Sequence, residues 1–304
     1  VMKLSKIVRK IQNKIRTSNY VSKSKHNVAH HYDLSDKLYE LFLDPDRQYS
    51  CAYFNSPNDT LEQAQINKKE LISKKLLLKE GQSVLDIGCG WGGMAAHIYK
   101  KSNASVVGVT LSEEQYAYAN QRKINEKLDK VEYRLQDYRN VNESYDRIVS
   151  VGMFEHVGTS HYQEFFNKVH DLLNDTGVAL IHTIGRLTEP TNNDPWIEKY
   201  IFPGGYIPAL SETMSRVEKS GLALTDVQVL RFHYAETLKR WRYNFYDNID
   251  KVKELYDEKF CRMWDFYLSS SQASFEEAGL VVFQLQLSKN KKTVPDRRDY
   301  MLTN

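Results

Sequence analysis

Short apolar runs rich in β-branched residues alternate with longer amphipathic stretches from residue 82 onward. The short runs predict buried strands at 83–87, 105–109, 131–135, 145–151 and 178–183. The stretches between them predict helices at 92–101, 113–127 and 161–173. Strands and helices that alternate in this way favour a parallel, doubly wound α/β sheet with helices on both faces.

The last third of the chain departs from this rhythm. Strands are predicted at 224–232 and 280–288, and the aromatic-rich stretch 235–278 between them predicts a helical insertion. A second insertion is predicted at 186–210, which holds four of the seven prolines and shows little periodicity. Loops of that length are commonly lids or binding segments, so we expect the insertions to cover one end of the sheet.

Two helix starts carry the pattern of a capping box, in which Ser or Thr is followed three residues later by Glu or Gln. Thr60 with Gln63 and Ser112 with Gln115 fit this pattern. We therefore expect helices to begin directly after residues 60 and 112.

Positive charge is concentrated at the start of the chain. Eight Lys or Arg residues and no acidic residue precede Asp33, so the remainder of this +3 chain carries a net charge of −5. The apolar residues of the segment fall at helical spacing: Leu4, Ile7, Val8, Ile11 and Ile15. We interpret the segment as a helix that contacts an anionic membrane surface, with packing on the domain, a frayed end or nucleic-acid contact as alternatives.

The overall composition is that of a globular protein. The 304 residues are 41% hydrophobic and 27% charged, which excludes collagen-like, coiled-coil and disordered classes. Cys51, Cys89 and Cys261 form no CxxC pair, so neither a disulfide framework nor a zinc site is indicated. Because no apolar run approaches the roughly 18 residues of a spanning helix or forms a signal peptide, we expect a reduced, cytoplasmic setting.

A glycine-rich turn follows the first predicted strand of the sheet. The sequence there reads VLDIGCGWGG (84–93), and a predicted helix follows. It resembles the S-adenosylmethionine-binding motif of Rossmann-like, class I methyltransferases. The resemblance implies a mostly parallel, seven-stranded sheet that binds S-adenosylmethionine through Asp86, Gly88, Gly90, Trp91 and Gly92. A tight turn in another kind of Rossmann domain is the alternative.

The same resemblance extends the cofactor site to other strand ends. Many class I enzymes hold the ribose with an acidic residue that ends the second strand. This chain has GVTLS (108–112) there, followed by Glu113, Glu114 and Gln115, and Gln115 is our predicted substitute. The remaining predicted cofactor contacts are Tyr49, Ser50, Thr110, Leu111, Gln136, Asp137 and Tyr138.

Six further segments resemble one enzyme family. They read HHYDLSDKLYELFLD (30–44), YSCAYF (49–54), VGMFEHVG (151–158), HTIG (182–185), KYIFPGG (199–205) and HYAETLKRW (233–241). All six, in this order, resemble the cyclopropane-fatty-acyl-phospholipid synthases and the mycolic acid cyclopropane synthases. The resemblance runs from about residue 25 to the C-terminus, and we expect the N-terminal domain of longer members to be absent.

This resemblance implies transfer of a methylene group from S-adenosylmethionine to the cis double bond of an unsaturated acyl chain in membrane phospholipid. An isolated alkene is a poor nucleophile, so methyl transfer must create carbocation character on the chain, and ring closure then requires a base. In the family that base is a bound bicarbonate ion, which would be held here by Cys51, Glu155, His182, Ile184 and Tyr234. Cys51 and Ile184 would contribute backbone groups, and Glu155 would orient and tune the acid–base pair.

Structural interpretations of these residues stay open. Glu155 could be exposed at a strand terminus, and His182 could be a buried histidine with ordinary hydrogen bonds. Cys51 could be a plain buried cysteine, since nothing near it in sequence marks a lowered thiol pKa, and Tyr234 could be purely structural.

A metal site is an alternative for the histidine-rich start of the first segment. His30, His31 and Asp33 have the spacing of a metal cluster, but the family resemblance makes them an ordered lid over the cofactor. The late aromatic residues raise a similar choice between helix packing and the lining of an acyl tunnel, and they are Trp241, Tyr243, Phe245, Tyr246, Phe260, Trp264, Phe266 and Tyr267.

The sequence therefore predicts two regions. Residues 1–60 would form a basic helical segment and a lid, and residues 61–304 a methyltransferase domain with helical lipid-binding insertions at about 186–210 and 235–278. We expect an enzyme bound peripherally to the inner face of a bacterial cytoplasmic membrane, with a homodimer among the open assembly states. Rival functions are methyl- or methylene-branching of acyl chains, methylation of a small amine, a non-catalytic lipid-binding module and a nucleic-acid methyltransferase.

Overall fold

Seven strands form one sheet in a computed structural model that describes residues 35–302. Their order across the sheet is β3-β2-β1-β4-β5-β7-β6. The strands are β1 (Ser83–Ile87), β2 (Ser105–Thr110), β3 (Val131–Leu135), β4 (Tyr145–Val151), β5 (Leu173–Arg186), β6 (Ala223–Leu230) and β7 (Leu280–Ser288). β7 pairs antiparallel with β5 and β6, and the other pairs are parallel. The predicted mostly parallel, seven-stranded sheet is confirmed.

Eleven α-helices lie within the described residues. They are α1 (Asp36–Phe42), α2 (Leu61–Lys75), α3 (Gly93–Ser102), α4 (Glu113–Asn125), α5 (Tyr162–Leu172), α6 (Pro195–Tyr200), α7 (Leu210–Val217), α8 (His233–Asp247), α9 (Ile249–Leu255), α10 (Glu258–Glu277) and α11 (Asp299–Leu302). No helix among residues 35–302 is long and apolar enough to cross a membrane.

Helices cover both faces of the sheet. Successive strand residues point to opposite sides, so apolar side chains on both sides of a central strand pack against helices. On β1, Val84 packs in a layer with Ala95 and Ile98 of α3. The next residue, Leu85, packs in the opposite layer with Phe165 of α5. The continuous apolar character of the predicted strands therefore reflects burial on two faces, as expected for a parallel sheet.

The predicted strand ends are accurate for four of the seven strands. β1, β3, β4 and β7 begin and end at the predicted residues, whereas β5 extends from Leu173 to Arg186 and β6 ends at Leu230. The predicted helical stretch 235–278 is broken into α8, α9 and α10. One break occurs where Asp257 accepts a hydrogen bond from the backbone N–H of Phe260 (2.7 Å) and so starts α10.

The two predicted capping boxes form only in part. Thr60 and Ser112 cap α2 and α4 by accepting hydrogen bonds from the backbone N–H groups of Gln63 (3.2 Å) and Gln115 (3.3 Å). The glutamine side chains do not complete the boxes, because Gln63 donates to Asn67 (2.8 Å) and Gln115 accepts from Thr110 (3.0 Å). The helix starts are confirmed, and the reciprocal half of each box is not.

A third apolar cluster lies over the carboxyl end of the sheet. It joins Phe42 of α1 to Trp241 of α8 (ring centroids 6.0 Å apart) and to Trp264 of α10 (5.7 Å). The late helices thus pack over one end of the sheet. The basic N-terminal segment, together with His30, His31 and Asp33, lies outside the described residues, so the predictions made for it stay predictions.

The turn between β1 and α3 depends on a glycine packed against a tyrosine. Gly92 has φ +82°, and a Cβ at this position would lie 2.5 Å from the hydroxyl oxygen of Tyr133. That hydroxyl donates to the Gly92 carbonyl (2.9 Å). The position therefore needs glycine both for its left-handed backbone and for its close neighbour.

We expect Gly92→Ala to lower the free energy of unfolding by about 2–4 kcal/mol, from the left-handed backbone and the displaced tyrosine together. The matched control is Gly81→Ala, because Gly81 has φ +77° and no atom within 4 Å of the added Cβ. The control should lose only about 1–2 kcal/mol. Urea denaturation of both variants measures the difference, and equal losses would contradict the role of the tyrosine contact.

Candidate active site

Two adjoining cavities lie at the carboxyl end of the parallel strands. The glycine-turn cavity, of about 150 Å³, lies against the turn after β1 and the ends of β2 and β3. The insertion cavity, of about 700 Å³, lies between the ends of β5 and β7 and the segments inserted around them. Tyr49, Ser50, Gly152 and His156 line both cavities. A ligand in one cavity can therefore contact a ligand in the other.

The glycine-turn cavity collects the predicted cofactor residues with one exception. Those that line it are Tyr49, Ser50, Asp86, Gly88, Gly90, Trp91, Thr110, Leu111, Gln115, Gln136, Asp137 and Tyr138. Gly92 does not line it, because this residue faces Tyr133 in the protein core. Its place in the motif is explained by packing, and the predicted direct contact is not supported.

Asp86 provides an unpaired carboxylate oxygen in this cavity. Its side chain is buried, and its Oδ2 atom has no hydrogen-bond partner among the described residues. Burial raises the pKa of Asp86 to about 7. A cationic group placed here would both satisfy the oxygen and favour the ionised carboxylate.

Two other predicted cofactor residues already have side-chain partners. The Asp137 carboxylate binds the guanidinium of Arg139 through Nε (2.9 Å) and a terminal nitrogen (2.7 Å). Gln115 accepts a hydrogen bond from the Thr110 hydroxyl (3.0 Å), so these two residues form one polar edge of the cavity. The arrangement fits a polar group at Gln115, whereas Asp137 is held by Arg139.

Sequence reasoning missed several residues of this cavity. Among them are Arg47, Gln48, Cys89, Met94, Arg139, Gly152, Met153 and His156. Arg47 stacks over the ring of Tyr118 (4.0 Å) and forms an ion pair with Asp36 (3.5 Å). Those partners are distant in sequence, so no local pattern marks Arg47 as a site residue.

The five predicted catalytic residues, Cys51, Glu155, His182, Ile184 and Tyr234, all line the insertion cavity. Glu155 lies in a short turn directly after β4, and His182 and Ile184 lie on the neighbouring strand β5. The other two come from the loop before α2 and from the start of α8. The topology therefore gathers segments that are far apart in sequence.

Glu155 is buried and only half satisfied. Its Oε1 atom accepts a hydrogen bond from the backbone N–H of Ile184 (2.6 Å), and its Oε2 atom has no partner among the described residues. Burial raises the pKa of Glu155 to about 7, against the opposing effect of the Ile184 hydrogen bond. The backbone N–H of Ile184 therefore donates to Glu155 in this structure. It does not point freely into the cavity.

His182 is also buried with one unpaired nitrogen. Its Nδ1 atom lies 3.1 Å from the side-chain nitrogen of Gln284 on β7, and its Nε2 atom has no partner among the described residues. Burial lowers the pKa of His182 well below its ordinary value, and the positive charges of Lys68 and Lys75 act in the same direction. The ring is therefore neutral at physiological pH.

Cys51 and Tyr234 complete the wall of the cavity. The Cys51 thiol donates to the Ala52 carbonyl (3.2 Å), and burial raises its pKa, so this thiol is not a nucleophile. The Tyr234 ring packs edge-on against Trp241 (5.7 Å) and beside Phe275 (4.7 Å). The expectation that Cys51 has no nucleophilic role agrees with this environment.

The late aromatic residues divide into packed, cavity-lining and exposed groups. Only Phe266 and Tyr267 of the run line the insertion cavity. Trp241 and Trp264 lie in the apolar cluster that joins the late helices, and Tyr243 is exposed (56%). Helix packing therefore accounts for about half of the run, cavity lining for Phe266 and Tyr267, and Tyr243 and Tyr246 are exposed.

A buried polar face of α2 supports the loop between the cavities. The Lys68 ammonium donates to Gln48 Oε1 (2.7 Å) and to the Ser50 hydroxyl (2.8 Å). Gln65 donates to the carbonyls of the same two loop residues (3.2 and 3.0 Å). One turn of the loop is thus held by four hydrogen bonds from a single helix, and no sequence motif indicated this.

Comparison with known proteins identifies the family. The sequence matches the family model for mycolic acid cyclopropane synthetase over residues 20–285. The cyclopropane-fatty-acyl-phospholipid synthase of Escherichia coli K12 is 42% identical over 259 residues, which cover 85% of this chain and 66% of the relative. This chain thus spans about two thirds of that relative's length.

Relatives of similar length come from Mycobacterium tuberculosis. Cyclopropane mycolic acid synthase 3 is 37% identical, over 86% of this chain and 96% of the relative. The structure of the cyclopropane synthase MmaA2 superposes with a TM-score of 0.82 at 36% identity, over 87% of this chain and 98% of the other. The fold is that of the class I S-adenosylmethionine-dependent methyltransferases. Since both the family model and these relatives cover most of its length, the chain belongs to the mycolic acid cyclopropane synthetase family.

Proposed function

We propose that the protein transfers a methylene group from S-adenosylmethionine to the cis double bond of unsaturated acyl chains in membrane phospholipid, and so forms a cyclopropane ring. The observation that carries this proposal is the junction of the two cavities at Tyr49, Ser50, Gly152 and His156. On one side lies the glycine turn, and on the other lie the five residues assigned to ring closure. This junction is where a methyl donor and an alkene would meet.

The glycine-turn cavity suits S-adenosylmethionine, whose sulfonium supplies an electrophilic methyl group. Asp86 would bind the ammonium of the amino-acid part, because its unpaired Oδ2 atom is an acceptor without a donor. Gln115 and Thr110 would face the ribose, and Gln136 and Tyr138 the adenine. Asp137 would contribute mainly through Arg139, since that ion pair occupies its carboxylate.

The insertion cavity suits an acyl chain on which positive charge develops. Tyr49, Phe202, Tyr267 and Phe275 are among its lining residues and present aromatic rings to it. An aromatic face stabilises a nearby cation by about 2 kcal/mol or more when water is excluded. The walls would therefore favour carbocation character while they withhold water that could quench it.

The polar end of the same cavity suits a bound bicarbonate, which would supply the base for ring closure. In the part of the chain that the structure describes, the neutral His182 ring has one nitrogen without a partner, and Glu155 has one oxygen without a partner. Tyr234 can donate a hydroxyl hydrogen bond to an oxyanion, and Glu155 can share a proton with one because its pKa is about 7. Cys51 and Ile184 would contribute backbone groups, the latter while also holding Glu155.

We extend the proposal to a peripheral position on the inner face of the cytoplasmic membrane. Support comes from the charge distribution, since eight basic residues precede the first acidic one. A basic segment of this kind gains about 1 kcal/mol per Lys or Arg near anionic lipid. The unsaturated substrate would then be drawn from the membrane to which the enzyme is bound.

Incubation with S-adenosylmethionine labelled in its methyl group tests the reaction. We expect label to enter vesicles of unsaturated phospholipid and not vesicles of saturated phospholipid, because only the former offer a double bond. Gas chromatography–mass spectrometry of the acyl chains should show a gain of CH₂ with loss of the olefin. Label in saturated lipid, a branched olefin or a methylated amine would each contradict cyclopropanation.

Glu155→Gln tests the assignment of the acid–base pair. The glutamine keeps an oxygen that can accept from Ile184 but loses the ionisable group, so turnover should fall by roughly a hundredfold or more. Calorimetric titration with S-adenosylhomocysteine should give an affinity near that of the wild type, because Glu155 does not line the glycine-turn cavity. Normal turnover in this variant would show that Glu155 has another role.

The pKa of Glu155 also predicts how stability depends on pH. Its folded-state pKa is raised from 4.5 to about 7, so the native protein favours the protonated form and loses stability as pH rises through this window. Relative to Glu155→Gln, the wild type should lose about 2 kcal/mol of unfolding free energy between pH 5 and pH 8. Urea denaturation at the two pH values measures this, with Glu277→Gln at an exposed position as the control. A pH-independent difference would contradict the raised pKa.

A further inference from the structure

Arg186, the last residue of β5, is a buried cation in the wall of the insertion cavity. Only 8% of its surface is exposed. Its Nε atom donates to the carbonyl of Ile207 (3.2 Å), and its backbone N–H donates to the carbonyl of Pro208 (3.0 Å). These bonds fix the arginine against the loop before α7, with its side chain at the cavity.

Among the described residues no carboxylate forms an ion pair with Arg186. Glu212 acts on it electrostatically. The Glu212 carboxylate, however, already accepts hydrogen bonds from the Tyr206 hydroxyl (3.0 Å) and the Ala209 N–H (2.9 Å). Within residues 35–302, the terminal guanidinium nitrogens form no hydrogen bond to a protein acceptor, and the only side-chain bond of Arg186 is the one from Nε. A buried cation in this condition gains most from an anion inside the cavity.

Arg186 lies on the same strand, β5, as His182 and Ile184 of the proposed reaction centre. His182, Ile184 and Arg186 are alternate residues of β5, so they share one face of the sheet, and all three line the cavity. At about 3.3 Å per residue, the Cα atoms of His182 and Arg186 are about 13 Å apart. A substrate whose double bond lies near His182 can thus extend along the strand to the arginine.

We infer that Arg186 binds the anionic end of the acyl substrate, which is either the phosphodiester of a phospholipid or the carboxylate of a free fatty acid. This inference rests on the proposed function, since it takes the cavity to be an acyl site. Guanidinium binds both anions through paired hydrogen bonds. Asp194 also lines the cavity, but its carboxylate caps α6 by accepting from the N–H groups of Trp196 (2.8 Å) and Ile197 (3.2 Å).

Binding of short single-chain probes tests the site without turnover. Decyl phosphate and decanoate should bind the wild type more tightly than decanol in calorimetric titrations. Arg186→Met should lose this preference, a change of about tenfold to a hundredfold for a charge-assisted hydrogen bond. Arg186→Lys should recover part of it. Equal binding of all three probes to the wild type would overturn the inference.

Steady-state kinetics on natural lipids distinguish a phosphodiester from a carboxylate at Arg186. They also distinguish failure of the Arg186 assignment from failure of the proposed function. Phosphatidylglycerol, oleate and dioleoylglycerol are compared as substrates, with Arg262→Met at an exposed ion-paired position as the control. Arg186→Met should raise KM for the anionic substrate that the site prefers and leave dioleoylglycerol unchanged. Equal losses on all three would overturn the arginine assignment, whereas no turnover of any lipid by the wild type would overturn the proposed function.

A second inference rests on the opposite side of His182. Gln284 and Lys75 are both fully buried. The Lys75 ammonium donates to Gln284 Oε1 (2.8 Å), and since an ammonium has no acceptor, this contact fixes the orientation of the amide. The Gln284 nitrogen must then donate to Nδ1 of His182 (3.1 Å). Nδ1 is therefore the acceptor, and the proton of the neutral ring lies on Nε2.

We infer that Lys75 and Gln284 are positioning residues that keep His182 as the Nε2–H tautomer. His182 lines the insertion cavity, so its Nε2–H, which has no partner within residues 35–302, would be a hydrogen-bond donor for a ligand there. Like the first, this inference gains its catalytic meaning from the proposed function, but the tautomer can be measured without any substrate.

Gln284→Glu tests the tautomer, because a carboxylate accepts and would draw the proton to Nδ1. Long-range ¹H–¹⁵N correlation spectra of histidine-labelled protein report which nitrogen is protonated, with His182→Asn used for assignment. We expect Nε2–H in the wild type and Nδ1–H in Gln284→Glu, together with at least a tenfold lower kcat and unchanged affinity for S-adenosylhomocysteine.

The matched control is Gln286→Glu on the same strand. Gln286 is equally buried and donates to the Lys75 carbonyl (2.6 Å), but it does not contact His182. This variant should keep the Nε2–H tautomer. A wild-type ring protonated on Nδ1, or the same tautomer in Gln284→Glu, would overturn the inference even if the enzyme is active.

Discussion

Two fully buried ammonium groups on one helix constrain the active-site region. Lys68 and Lys75 lie two turns apart on α2, and neither side chain has exposed surface. A buried cation is tolerated only when hydrogen bonds replace its lost water. Lys68 finds these bonds at Gln48 and Ser50, and Lys75 finds them at Gln228 and Gln284. The surrounding chain must therefore stay where it can supply those oxygens.

The hydrogen bonds of Lys68 and Lys75 connect the walls of both cavities to the same helix, α2. The loop that holds Ser50 forms part of the wall common to both cavities. Gln284 in turn orients His182 in the insertion cavity. A shift of α2 would disturb both at once, and leaving a buried group without its hydrogen-bond partner costs about 1–3 kcal/mol, and more when the group is charged. The buried polar face of α2 thus positions the loop and Gln284 through hydrogen bonds. This is why the sequence of α2 lacks a clear apolar stripe.

The sequence predicted those parts of the fold and site whose causes are local. Strand β1 and its glycine turn follow from apolar patterning and turn chemistry, and both are found as predicted. A glycine motif does not reveal which glycines face a ligand and which, like Gly92, lie against a tyrosine ring. Lys68 and Lys75 could not be identified from the sequence, since a lysine on a helix normally reaches solvent. Their burial depends on strands and loops distant in the chain.

Among the described residues, the two cavities have different polar atoms without hydrogen-bond partners. Each cavity therefore suits a ligand of different charge. The glycine-turn cavity leaves an acceptor at Asp86, which an ammonium group would satisfy. The polar end of the insertion cavity leaves a donor at His182 and a carboxyl at Glu155 whose pKa of about 7 lets it hold or release a proton. An oxyanion that carries one proton matches that pair, because it can accept from the histidine and exchange a proton with the glutamate. A simple halide offers no proton to exchange. The atoms of Glu155 and His182 that lack partners among the described residues therefore support the chemistry proposed for ring closure.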